Sequence, residues 1–375
     1  MTPALARLLV AWALVAGALR LTVAAPEDCG AAPTPARLRA AAAAGAAWIA
    51  ANTRPDGSYL YEWHVGEGAG PAYNVVRHAG VTLALYRAGL VEDGDRGLDW
   101  LRERVSDRHG WAAVEDGAFA PLGATALAVA ALAERRAATG DRSDDGLLRD
   151  LGSFLVALQR DDGGWPLGWD LGADRPQPGT SRYYPGEATW ALARLAAAFP
   201  GEGWDGPARR GAAYVALRRD DVEAVEFPPL NDHWGAYALA ELAAAGPLPD
   251  AWLDYARLLH GRFDLLVRSQ ARQRPSGPAS VLHGPPRRAA ALGTWVEGEA
   301  ALWRLARAEP RLADLAPALL ATAACGAGLL VDRQTAGGPV EEDGAWVTGG
   351  VTRNDDQQHA VAGLLATADA LEAPG

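Results

Sequence analysis

The chain contains no lysine: all 35 of its basic residues are arginines. That excludes a Schiff-base or pyridoxal lysine and the lysine of a Walker-type phosphate loop. Positive charge is in deficit, with a net charge of −11, which argues against nucleic acid or an anionic bilayer surface as a partner. Only two cysteines occur, Cys29 and Cys325, too few and too far apart for a zinc ribbon. Either they pair in an oxidising compartment, or Cys325 is a buried thiol and Cys29 stays unpaired. Alternating strand patterns are nearly absent. So are serine nucleophile elbows, glycine-rich nucleotide loops and His-Glu-x-x-His.

What is present begins with an export signal. Residues 1–25 combine Arg7, an apolar run Leu8–Leu19 and the small residues Val23-Ala24-Ala25 as a cleavage site. Arg20 interrupts the run, so the expectation is a secreted or periplasmic protein with no stable membrane insertion after cleavage. Residues 26–375 show no composition break and read as one domain, with Arg272–Arg288 as an irregular, Pro- and Arg-rich insertion.

Apolar residues three and four apart dominate that domain. Helices with polar faces are expected at 35–52, 93–106, 144–160, 206–219, 250–270 and 311–334. Between them lie helices apolar on every side, at 74–88, 121–137, 185–199, 232–245, 291–307 and 354–371, which marks them as buried. Twelve helices in six hairpins predict an all-α ring with the second set inside. Five of the six inner helices open on polar side chains, and closure would gather those openings at one mouth.

A repeat sits at the outer helix ends. Phe154-Leu155-x3-Gln159-x3-Gly163-x-Trp165 is its full form, and Trp48 to Tyr59, Leu265 to Gln270 and Leu329 to Gly338 are weaker copies. The Gln159–Trp165 pattern resembles the QW repeat of squalene–hopene cyclases and prenyltransferase-type α/α toroids. The six-hairpin count resembles the (α/α)6 barrels of six-hairpin glycosidases, polysaccharide lyases and sugar 2-epimerases. Both resemblances imply an (α/α)6 toroid from about Pro33 to Leu371 and leave its chemistry open.

The inner helix openings supply the site candidates. Asn74, Arg77 and His78 fall at i, i+3 and i+4, and Asp355, Gln358 and His359 echo them, with Arg353 just ahead. Tyr184 and Glu187 share part of that spacing. Asp232, His233 and Trp234 open another inner helix, and Glu297 and Glu299 another, with Glu297 inward and Glu299 solvated. Glu62 lies on a loop overhanging the mouth, Trp63, Trp295 and Trp346 lie nearby, and His109, His260 and His283 read as surface. The plainer reading makes the aspartates helix caps and each histidine a satisfied core group. Arg77 and Arg353 resist it, because a cation at a helix N-terminus needs an anionic partner such as Glu62, Glu187 or Asp355, or an anionic ligand.

The expected function is an exported carbohydrate-active enzyme, glycoside hydrolase-like, working on an oligosaccharide or a uronic-acid-containing glycan. Its catalytic set is drawn from Glu187, Asp232, His233, Glu297, Asp355 and His359, and its substrate contacts from Glu62, Asn74, Arg77, His78, Tyr184, Trp234, Arg353 and Gln358. Neither metal nor cofactor is required. One alternative is a polysaccharide lyase or sugar epimerase with His/Tyr acid–base chemistry. The 2-epimerase resemblance implies an acid/base pair of histidines on the eighth and twelfth helices, where His233 and His359 stand. The other is a non-catalytic glycan-binding or terpene-cyclase-like toroid; against the latter, no Asp-x-Asp-Asp or Asp-Asp-x-x-Asp motif occurs.

Overall fold

A computed structural model describes residues 2–22, 27–223 and 231–373. The cleavage run Val23-Ala24-Ala25 lies outside them. An exposed helix, α1 (Pro3–Thr22), precedes the ring and is long and apolar enough to cross a membrane, a description that a signal sequence also meets. Six hairpins follow, outer helix first. They are α2 (Pro35–Ala51) with α3 (Val75–Arg87), α4 (Val91–Arg102) with α5 (Leu122–Thr139), and α6 (Asp145–Leu158) with α7 (Tyr184–Ala198). Next come α8 (Asp205–Leu217), a short α9 (Arg219–Val222) and the inner α10 (His233–Ala245). Outer α11 (Asp250–Arg272), a short α12 (Pro278–His283) and inner α13 (Ala289–Ala308) make the fifth, and α14 (Ala316–Arg333) with α15 (Asn354–Glu372) the sixth.

Each inner helix packs on the next, and α15 packs back on α3 and α2, so the ring closes. The fold is the (α/α)6 toroid that the repeat pattern predicts. Small side chains allow this crowding: every residue of α5 from Leu122 to Ala133 is buried. Outer helices bury one face only, as α4 does with Gly94, Gly97, Leu98, Trp100 and Leu101.

The repeat stitches one outer helix end to the next hairpin. Gln159 Nε2 donates to the carbonyls of Gly163 and Pro207, at 3.3 and 3.0 Å, and Trp165 Nε1 donates to Leu155 O at 2.8 Å. Gly163 has φ +90°, and a Cβ there would press into the Arg210 carbonyl. Gln334 and Trp346 repeat the arrangement: Gln334 Nε2 bonds Ala41 O and Gly344 O, and Trp346 Nε1 bonds Leu330 O. Trp346 is therefore ring packing, 1% exposed, and not the mouth residue its loop position implied. The copy at Gln270 is diverted by the insertion, which carries α12: Gln270 Oε1 accepts from Arg287 N and Arg333 Nη1.

Strands, which the sequence barely signals, occupy the connections from outer to inner helix within hairpins. They are β1 (Glu62–His64), β2 (Gly68–Ala69), β3 (Val105–Arg108), β4 (Trp111–Val114), β5 (Phe119–Pro121), β6 (Gly168–Asp170), β7 (Arg175–Gln177) and β8 (Val351–Arg353). Antiparallel pairing of β1 with β8 sets Glu62 opposite Arg353 and delivers Arg353 to the start of α15.

Cys29 and Cys325 are bonded, tying the N-terminal segment to α14 across 296 residues of chain. Closing so long a loop restricts the unfolded state, so Cys29→Ser with Cys325→Ser should cost about 2–5 kcal/mol. Urea titration of the oxidised protein against the double variant measures it, and equal midpoints would contradict the expectation.

Candidate functional site

All six inner helices wall a cavity of about 570 Å³ at the mouth formed by their N-terminal ends, within the range of small-molecule sites. Asn74, Arg77, Tyr184, Glu187, His233, Trp234, Arg353, Asp355, Gln358 and His359 line it, joined by Trp295. Distant parts of the chain thus meet where the hairpin reading placed them.

The cavity's innermost chemistry is a histidine pair. The rings of His233 and His359 stand 5.2 Å apart and nearly perpendicular, at 86°. His359 Nδ1 lies 2.7 Å from Glu297 Oε1, and the other carboxylate oxygen accepts from Tyr237 Oη at 2.8 Å. A carboxylate partner makes Nδ1 the protonated nitrogen and leaves the lone pair on Nε2. His233 is 2% exposed, burial holds it well below the usual histidine range, and its Nε2 has no hydrogen-bond partner among the described residues. Glu297 itself does not line the cavity. Its helix begins at Ala289, two residues before the expected 291, so Glu297 does not open the helix but stands two turns in, behind His359.

Beneath Glu297 a lattice of charges spans the lower ends of the inner helices. Arg87 Nη1 donates to Tyr237 Oη at 3.1 Å and lies 3.8 Å from Glu297 Oε2. From Arg87 the pairs continue through Glu134 and Arg194 to Glu241 and Arg304. Arg87 was missed in the sequence because it lies more than three turns from the polar opening of α3, and Tyr237, one turn into α10, because only the inward face of a helix could have flagged it.

His233, Glu297 and His359 place ligating atoms within 4.8 Å of one another and are the described residues that could hold a metal ion. The donors fit a proton relay better. Both Glu297 oxygens are taken, and the Arg87 guanidinium beside them opposes a second cation.

On the cavity wall, Asp355 is clamped by two arginines: Arg77 Nε at 2.9 Å and Arg353 Nε at 3.1 Å. That explains two cations at helix N-termini. Asn74 caps α3 through Arg77 N at 2.9 Å. Glu187 stands apart, its Oε2 buried without a hydrogen-bond partner among the described residues. Burial and, secondarily, the charge of Asp232 push its carboxyl up to about 8, so it is protonated at neutral pH. It leans over Gly123, where a Cβ would lie 2.6 Å from the neighbouring Tyr184 ring. This is why the opening of α5 carries no polar side chain: it is the floor on which Tyr184 and Glu187 rest.

Four expectations are corrected. Asp232 does not reach the cavity; it caps α10 through Gly235 N at 3.0 Å and pairs with the fully buried Arg219, which also bonds Tyr255 Oη. His78 is a core residue, 0% exposed, stacked on Trp100 and bonded to Tyr73 Oη and Gly97 O, with its imidazole pushed down to about 3 by burial. One residue beyond Arg77, it is turned about 100° away from the mouth. Glu62 pairs with His64 at 2.7 Å on β1 and serves the strand that positions Arg353. Glu299 is not solvated: it is fully buried toward α11, bonded to His260 Nδ1 at 3.0 Å, so His260 is no plain surface residue.

No protein-family model and no curated protein matches the chain. Solved structures do. The cellobiose 2-epimerase from Spirochaeta thermophila DSM 6192 aligns with a TM-score of 0.62 and 16% identity over 89% of this chain and 97% of its own. An α-1,6-mannanase from Salegentibacter sp. HEL1_6 gives 0.62 and 13% over 89% and 99%. A type II terpene cyclase from Scytonema gives 0.55 and 14% over 90% and 98%. Identities this low establish a shared fold and leave the chemistry to the site.

Proposed function

We propose that this toroid is a sugar-acting enzyme that moves a proton on the carbon beside a carbonyl, as a sugar epimerase or an aldose–ketose isomerase does. The observation that carries the reading is the His233–His359 pair with Glu297 fixed behind one ring. In the reaction, His359 Nε2 takes the proton from the carbon next to the open-chain carbonyl. Glu297, hydrogen-bonded to Nδ1, stabilises the imidazolium that results, and Tyr237 and Arg87 hold that carboxylate in place. The electron pair moves onto the carbonyl oxygen as an enediolate. His233, neutral and across the cavity, offers its ring N–H to the carbonyl oxygen, and the His359 imidazolium, after exchange with solvent, returns its proton: to the neighbouring carbon for a ketose, or to the other face of the same carbon once the enediolate has turned over for an epimer. Trp234 and Trp295 offer flat apolar walls to a sugar ring. Among the solved structures of the same fold, a cellobiose 2-epimerase and a D-mannose isomerase are consistent with this class. Export also remains part of the proposal, supported by α1 and by the disulfide behind it.

The test is incubation with reducing sugars in deuterium oxide. Deuterium at the carbon beside the carbonyl, with an epimer or ketose as product, supports the proposal; a new reducing end supports glycoside hydrolysis instead. Hydrolysis is the second reading, because Glu187 is a buried, protonated acid on the cavity wall.

Glu187→Gln separates the two. An amide replaces a neutral acid, so proton-transfer turnover at pH 7 should change less than about tenfold, whereas a general acid for glycosidic cleavage would lose about 10²-fold or more. The pH profile gives a second readout. Above about 8 the native carboxyl ionises, placing negative charge beside a developing enediolate, so activity falls on the alkaline side and Gln removes that limb. Stability has the same sign. The unfolded carboxyl loses its proton near 4.5 and the folded one near 8, so native stability declines as pH rises between them.

A further inference from the structure

The cavity wall carries more positive charge than its neighbours neutralise. Arg77, Arg287, Arg288 and Arg353 line it. Arg288 is matched by the buried Asp356. Arg77 and Arg353 divide a single carboxylate, Asp355, between them. Arg287 is fixed through its backbone N–H to Gln270 Oε1 at 2.9 Å, while its exposed guanidinium meets no carboxylate among the described residues. Four guanidinium groups thus face two carboxylates, in a chain whose net charge is −11. Glu187 adds no negative charge below about pH 8. Three of the cations, Arg77, Arg288 and Arg353, also sit at helix N-termini, where the dipole disfavours them. An excess of cations against both the helix dipoles and the global charge calls for an anion.

Building on the sugar-site reading, we propose that the substrate is an anionic sugar. Its carboxylate or phosphate docks at the mouth against Arg287 and the guanidinium N–H groups of Arg77 and Arg353 that Asp355 and, on Arg77, Tyr61 Oη leave unused. The reducing end then points inward to the histidine pair. Arginine suits this role because its planar donors grip either group in pairs.

Calorimetric titration with glucose, glucuronate and glucose 6-phosphate tests it. At least one anionic probe should bind about tenfold or more tightly than glucose, and the margin should shrink with added salt. The tighter of the two shows whether the site takes a carboxylate or a phosphate. Arg287→Gln should remove about tenfold of the margin, and Arg287→Lys should restore part of it. Equal affinity for all three probes, no binding of any, or a margin indifferent to salt and to Arg287→Gln would overturn the proposal. Deuterium exchange separates it from the reading beneath it. Tight binding of an anionic probe without exchange sinks proton transfer and leaves the anion site standing; exchange into glucose as fast as into glucuronate does the reverse.

Discussion

His359→Ala should abolish nearly all deuterium incorporation, with a loss of about 10³-fold in turnover, within the 10²–10⁴-fold range of a single acid–base group. His359 Nδ1 is held by Glu297 at 2.7 Å, so the ring cannot be replaced by water without losing the oriented lone pair. Glu297→Gln should cost less, about 10²-fold, because the ring stays but the stabilising charge behind it goes. The loss should sit in kcat, since neither change removes the walls that hold the sugar. Melting temperature provides the control. Both variants keep the Arg87–Tyr237 contact and should melt within a few degrees of the parent. Full turnover by folded His359→Ala would rule out the proposed chemistry.

Asp232→Ala should do the opposite: lower stability by about 3–5 kcal/mol while turnover per folded molecule falls less than about tenfold. Asp232 and Arg219 are both fully buried, and removing one leaves an uncompensated charge in the core. The same change strips the cap from α10, since Gly235 N loses its acceptor. Chemical denaturation measures the loss, and a shift under about 1 kcal/mol would contradict the buried pair. A subsidiary effect follows at Glu187. Part of what raises its carboxyl is the Asp232 charge, so the alkaline limb of the pH profile should move to higher pH in native protein than in the variant.

The ring was legible because its signal is periodic. Inner helices are apolar all round, outer ones on one side, and Gln159 to Trp165 marks a hairpin boundary that hydrogen bonds enforce. The site was legible only as far as helix N-termini could be read. Arg77, Glu187, His233, Asp355 and His359 were found there and do share a cavity. Asp232 and His78 illustrate the failure. Near a helix start, a residue facing the axis and one facing the outer layer differ by a rotation of about 100°, which a boundary uncertain by one residue cannot fix. Glu297 is the reverse case: its inward face was read correctly, but it was taken for the helix opening, whereas α13 starts eight residues ahead of it at Ala289. Arg219 and Arg87 carry no local mark at all; each is defined by partners on other helices.

The ionic lattice from Arg87 through Glu134 and Arg194 to Arg304 has a bearing on which molecules the cavity would admit. It joins five of the six inner helices at the end opposite the mouth. Under the proposed function a sugar therefore enters and leaves by the mouth, and a free terminus or a short molecule is the expected substrate, not the interior of a threaded polymer.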